Sequence, residues 1–177
     1  ENGAATTIID CQGTEADPHR AFLFNSGETA AARLNGFTMR NGYRSFSGGA
    51  IRLENNSSPT IQACTFTNNY ARVDGGAILT HDSSPTIENC TFTGNRAGSC
   101  GGAICCLASV YAVPRSNRTV IRNCTLTGNY TDSEGGAILT SNWSQVTIED
   151  CYIAGNLAGG VIGLGAGGGI TAEGDTT

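Results

Sequence analysis

The chain contains no lysine. Its ten basic residues are all Arg, set against fifteen Asp and Glu, for a formal charge of −5 over 177 residues. No basic run exists, so the electrostatic footprint of a nucleic-acid-binding surface is missing. Charged residues make up only 14% of the chain, and proline occurs four times. No stretch shows the 3.6-residue apolar period of an amphipathic helix. No apolar run reaches the ~20 residues that a membrane-spanning helix needs; the segment from Gly159 to Gly169 (GGVIGLGAGGG) is too short and too rich in glycine. The eight cysteines form no CxxC pair, and His19 and His81 are isolated, so zinc-ligand spacing is lacking and no cofactor is expected. No signal peptide is visible, and a start at Glu1 rather than Met reads as a processed product.

What the chain does have is a repeat. Gly75 to Asn95 reads GGAILTHDSSPTIENCTFTGN, and Gly48 to Asn69 reads GGAIRLENNSSPTIQACTFTNN. Further copies open at Gly101 (GGAI) and Gly135 (GGAILTSN), with a degenerate one at Gly167 (GGGI). The steps between these glycine pairs are 27, 26, 34 and 32 residues. A fixed period of this kind marks a solenoid, each repeat being one coil stacked on the last. Two coils are regular and two carry insertions: one at 107–119, containing Pro114, and one in the Gly-rich stretch after Asn156.

Within a coil the text divides into three short strands, exemplified by Ala77–Thr80, Thr86–Glu88 and Cys90–Thr93. Alternation turns Cys90 and Phe92 inward and Thr91 and Thr93 outward. Ile87 and Cys90 are three apart, so the phase slips and a corner is expected near Asn89. Asn95 and the Gly101–Gly102 pair mark two more corners, where positive φ or close backbone approach is wanted. Coils of about 26 residues with three short strands describe an all-β, right-handed parallel β-helix of about six coils, roughly 25–30 Å long. The expected organisation is one domain over 1–177: diverged coils over 1–47, the repeats over 48–156, and a Gly-rich last coil over 157–177.

Stacking assigns columns. Asn69, Asn95, Asn129 and Asn156 form an expected buried amide ladder, with Gly42 in that place one coil earlier. Cys64, Cys90, Cys124 and Cys151 form an inner stack of small apolar side chains, with Phe37 in the first coil. Glu88, Arg122 and Glu149 alternate in charge on an outer face. Thr65, Thr91 and Thr125, with Thr67, Thr93 and Thr127, form outer hydroxyl columns, an ordinary solvated β face that could also meet ice or glycans. Cys100, Cys105, Cys106 and Cys11, off the repeat, are disulfide candidates. Of the seven N-x-S/T sites, Asn117, Asn142 and Asn56 are the plausible glycan acceptors.

Chemistry is sparse. The acidic candidates are Asp74, Asp82, Asp132 and Glu134. Asp74 and Glu134 share the slot before the GG pair, but Cys100 holds it on the coil between, which sets them roughly 10 Å apart, too far to share one ion. No Asp-Asp pair is present, and Glu149-Asp150 is the nearest to one, which weighs against glycoside hydrolysis. No catalytic, metal or cofactor residue is assigned.

The TIID…LFN…LNGFTMRNG opening followed by GGAI and NCTFTGN resembles the pectin-lyase-like right-handed β-helix superfamily. GGAI at Gly48, Gly75, Gly101 and Gly135, with Phe66–Asn69 and Phe92–Asn95, resembles the repeats of chlamydial polymorphic outer membrane proteins and related bacterial adhesins. That resemblance implies an extracellular or cell-surface structural or adhesive role, with a glycan or host-surface ligand. Missing end caps imply self-association into a fibre or continuation of a larger chain. The alternative is a carbohydrate-active β-helix, lyase-like or glycan-binding.

Overall fold

The computed structural model describes residues 7–109, 117–159 and 167–173, and these form a parallel β-solenoid without a helix. Four parallel sheets run along it, of six, six, five and five strands. The GGAI sheet contains Phe22–Phe24, Ile51–Leu53, Ile78–His81, Ile104–Leu107, Ile138–Ser141 and Ile170–Ala172. The second sheet contains Arg33–Asn35, Thr60–Gln62, Thr86–Glu88, Val120–Arg122 and Thr147–Glu149. The Thr sheet contains Ile8–Asp10, Thr38–Arg40, Thr65–Thr67, Thr91–Thr93, Thr125–Thr127 and Tyr152–Ala154. These are the three expected strands per coil. A fourth sheet adds the two-residue strands Tyr43–Arg44, Tyr70–Ala71, Arg96–Ala97, Tyr130–Thr131 and Leu157–Ala158.

The registers put like on like. Phe92 pairs with Phe66 on one side and Leu126 on the other, and Ile87 pairs with Ile61 and Ile121. Met39, Phe66, Phe92 and Leu126 are fully buried, as are Ile51, Ile78, Ile104 and Ile138 of the GGAI sheet. The apolar interior thus runs as continuous columns between the sheets, which is why a single coil could not fold alone.

The corners fall where the phase slips. Asn89 has φ of 55°, and the same place is held by Ala63 (50°), Asn123 (51°), Asp150 (49°) and Gly36 (75°). At the next corner the positive φ lies one residue before the expected Asn: on Asn68 (53°), Gly94 (66°), Gly128 (62°) and Gly155 (63°). The ladder Asn itself stays out of the left-handed region and turns its amide inward. The GG pair has two reasons to be glycine. Gly75 has φ of 64°, and a Cβ on Gly76 would lie 2.1 Å from the Gly102 carbonyl oxygen, well inside van der Waals contact.

The expected insertion at 107–119 and the Gly-rich stretch from 157 lie only partly within the described residues. The described parts show how the first is anchored. Leaving the wall, Ser109 donates its N–H (2.7 Å) and hydroxyl (2.6 Å) to the Asp82 carboxylate. Returning, Asn117 is fully buried and donates its amide to Thr80 Oγ1 and to the Leu107 carbonyl, both at 2.8 Å. Thr119 donates its hydroxyl to Asn117 Oδ1 at 2.8 Å.

Candidate functional site

The Asn ladder is the most regular internal feature. From Asn95 onward each amide oxygen accepts twice from the preceding coil: Asn95 Oδ1 from the N–H (3.1 Å) and Nδ2 (3.0 Å) of Asn69, and Asn156 Oδ1 from those of Asn129 at 2.9 and 2.8 Å. Each Nδ2 also donates to a strand carbonyl one coil back, as Asn95 does to Phe66 at 3.0 Å. At the first coil the Gly42 N–H donates to Asn69 Oδ1 at 2.9 Å. Corner groups that no sheet satisfies are bonded in this way.

The cysteine stack is an inner column of free thiols. Each Sγ lies 3.1–3.2 Å from the carbonyl two residues earlier, those of Gln62, Glu88, Arg122 and Glu149. Cys90, flanked by the thiols of Cys124 and Cys64 and buried, is held up in its protonated form. The disulfide candidates Cys11, Cys100, Cys105 and Cys106 are not bonded to one another in the structure. Cys105 and Cys106 are adjacent on one strand and point to opposite faces, Cys106 into the core and Cys105 into a separate cluster with Leu79 and Leu139. The glycan acceptors divide likewise. Asn56 and Asn142 are exposed at turns, but Asn117 is buried and engaged by Thr80, so a glycan has no room there and that expectation is corrected.

On the outside, two threonine columns and one charged column were expected. Thr65, Thr91 and Thr125 pair in register, as do Thr67, Thr93 and Thr127, with Thr93 and Thr127 hydroxyls 3.4 Å apart. Arg122 donates Nε to Glu88 at 2.8 Å; among the described residues Glu149 makes no such pair. A fourth column was not expected. On the short sheet Arg96 lies between two rings, 5.6 Å from the Tyr70 centroid and 5.1 Å from that of Tyr130, and pairs with Asp132 at 3.0 Å. Tyr43 tilts on Tyr70 at 5.2 Å. The sequence signal was there: these residues each follow the ladder place at Gly42, Asn69, Asn95 and Asn129.

The acidic candidates are thereby sorted. Asp82 anchors the departing loop, and Asp132 pairs with Arg96. Asp74, Cys100 and Glu134 are bridged in register on successive coils, as the spacing required. They border the outer face of the GGAI sheet, where Leu79, Cys105 and Leu139 are buried with Cys100 and Leu107 packed on them. Burial raises the Asp74 carboxyl, against hydrogen bonds from Ser47 and Cys100. A hydrogen bond with Glu173 raises Glu134. Burial also raises Cys100 and, well above its ordinary value, Cys105, so neither is an activated nucleophile at neutral pH. The border thus sets two carboxyls that are raised, Asp74 and Glu134, beside a small buried apolar cluster, with Glu173 as the neighbour that the sequence did not reveal. No group of three or more metal-ligating side chains occurs among the described residues.

A coiled stack of parallel strands with inner Asn, Cys and aliphatic columns defines the class. A family model for a right-handed beta helix region matches residues 1–177, and the chain belongs to that family. No curated protein and no solved structure matches it.

Proposed function

We propose that the protein is an extracellular or cell-surface structural solenoid with an adhesive role, joined end to end to a second copy or to further coils. The observation that carries this reading is the last described coil. Thr147–Glu149, Tyr152–Ala154, Leu157–Ala158 and Ile170–Ala172 each have a strand on one side only among the described residues. Tyr152 and Leu157 are each 64% exposed and Ile170 42%. Open parallel edges with apolar side chains beside them are templates for pairing. The Asn ladder runs to the same end, where Asn156 Nδ2 donates to the Leu126 and Ala154 carbonyls at 2.8 and 3.2 Å instead of to a following amide oxygen. The resemblance of the GGAI and FxxN repeats to bacterial surface adhesins points the same way, and a glycan or host-surface ligand is proposed for the outer columns. The test is sedimentation velocity across a concentration series, with Tyr152→Asp and Leu157→Asp, which put a charge on the exposed apolar side chains of the last coil without removing a ladder N–H. Concentration-dependent association that either variant abolishes supports the reading; a concentration-independent monomer contradicts self-association.

A second reading rests on Glu134 and Glu173. The hydrogen bond with Glu173 raises Glu134, and a raised carboxyl is the kind of acid that carbohydrate-active enzymes use. Screening acidic and neutral polysaccharides for cleavage by the protein and by Glu134→Gln tests it. Turnover lost in the variant would favour an enzyme over a structural module.

A further inference from the structure

Arg20 and Arg44 meet where the solenoid begins. Arg44 sits in the column that Ala71, Ala97 and Thr131 hold on the following coils, and those three are fully buried. A long cation thus replaces a small side chain in an inward place. The short sheet starts with its strand, so the neighbour one coil back is the segment Pro18–Arg20 rather than a strand. The contacts are direct: the Tyr43 N–H donates to the His19 carbonyl at 2.8 Å, and Arg44 Nη1 donates to the Pro18 carbonyl at 2.9 Å.

The two guanidiniums are under-satisfied. Arg20 Nη1 and Arg44 Nε are buried and lack a hydrogen-bond partner among the described residues. Neither side chain has a carboxylate partner there, whereas Arg40, Arg52, Arg72, Arg96 and Arg122 each do. Arg52, which also bears on Arg20, is tied to Glu54 at 2.7 Å. Burial first, then the charges of Arg44 and Arg52, lower Arg20 to about 10, with Glu54 opposing. Buried cationic donors without a partner are costly. A water molecule would satisfy the N–H groups but leave the charges crowded, whereas an anion answers both needs. Guanidiniums match planar and tetrahedral oxyanions with paired N–H groups.

We propose that Arg20 and Arg44 form a binding site for a single oxyanion group, a carboxylate or a sulfate, at the first coil. The group could be a free ion or be carried on an acidic sugar; the chemistry of recognition is the same.

The test is thermal unfolding of the full chain at fixed ionic strength, with chloride replaced by low-millimolar sodium sulfate or sodium galacturonate, and with galactose as the uncharged control. At about ten times the dissociation constant, binding to the folded state raises Tm by roughly 3 °C and saturates. General salting-in or salting-out effects do not saturate in this range. Arg20→Gln and Arg44→Gln lose the rise, while Arg33→Gln and Arg118→Gln, at exposed arginines without an ion pair among the described residues, keep it. Should Arg44→Gln not fold, Arg44→Lys keeps the charge without the fork and shows a reduced rise. A response to sulfate alone marks a free tetrahedral ion, and a response to galacturonate marks a sugar acid as well; either sustains the site. No saturable rise with either anion, or an equal rise in Arg20→Gln and Arg33→Gln, overturns it.

Discussion

Asn129 Oδ1 accepts two hydrogen bonds from Asn95, from its backbone N–H and from its Nδ2, both at 3.0 Å. Both residues are almost completely buried, so neither water nor a sheet neighbour can replace the pair. Asn95→Ala strands the Asn69 N–H, the Asn69 amide and the Phe66 carbonyl at once, and each buried orphan costs about 1–3 kcal/mol. We expect a loss of roughly 3 kcal/mol or more in urea unfolding. Asn95→Asp keeps the acceptor but loses the donor to Phe66, and its loss should be greater at pH 7 than at pH 4, where the acid is neutral.

Phe66 and Phe92 stack with centroids 4.7 Å apart and planes 4° from parallel. Leu126 follows them in the same column, so the interior already accepts Leu at this level. Phe92→Leu therefore costs about 1–2 kcal/mol, from the lost ring pair and imperfect repacking. Phe92→Ala leaves a cavity and costs about 3–5 kcal/mol. Near-equal losses for the two variants would contradict the column packing.

Ala63 turns its corner at φ of 50°, where the other coils use Asn, Asp or Gly. A left-handed conformation strains a Cβ-bearing residue by about 1–2 kcal/mol. Ala63→Gly should raise stability by about 0.5–1 kcal/mol, the relief being offset in part by greater freedom of the unfolded chain. A fall in the denaturation midpoint would count against that corner geometry.

Asp74 holds its proton to higher pH in the folded state, chiefly because of burial. A raised carboxyl favours folding below the unfolded-state pKa, and that contribution is lost as pH rises through the folded pKa. Glu134 shifts in the same direction through Glu173. Asp74→Asn should thus be more stable than the parent at pH 7 and no more stable at pH 3. The check is the difference between the two midpoints across that range, and a difference that does not grow with pH contradicts it.

Much of the fold was legible because the coil repeats its own errors and corrections. The three-residue gap between Ile87 and Cys90 marked a corner, and the recurrence of Asn at one place marked a ladder. The short sheet was marked only by its place one residue after each ladder position, since two residues carry no period of their own. Its outer column mixes Tyr with Arg96, so no single residue type announced it. Asn117 read as a loop residue from Pro114 and its sequon, and only the fold shows that the returning chain is pinned under Thr80. Glu173 lies beyond a glycine run in which the repeat count is lost, so its meeting with Glu134 had no signal. The crowding of Arg20 and Arg44 arises where diverged coils no longer align by eye.

Electron microscopy of the purified protein tests the central claim most directly. Filaments or stacked particles with a longitudinal repeat of roughly 25–30 Å, about six coils at the strand spacing, are the expected result. Uniform single particles of that length at high protein concentration would contradict it.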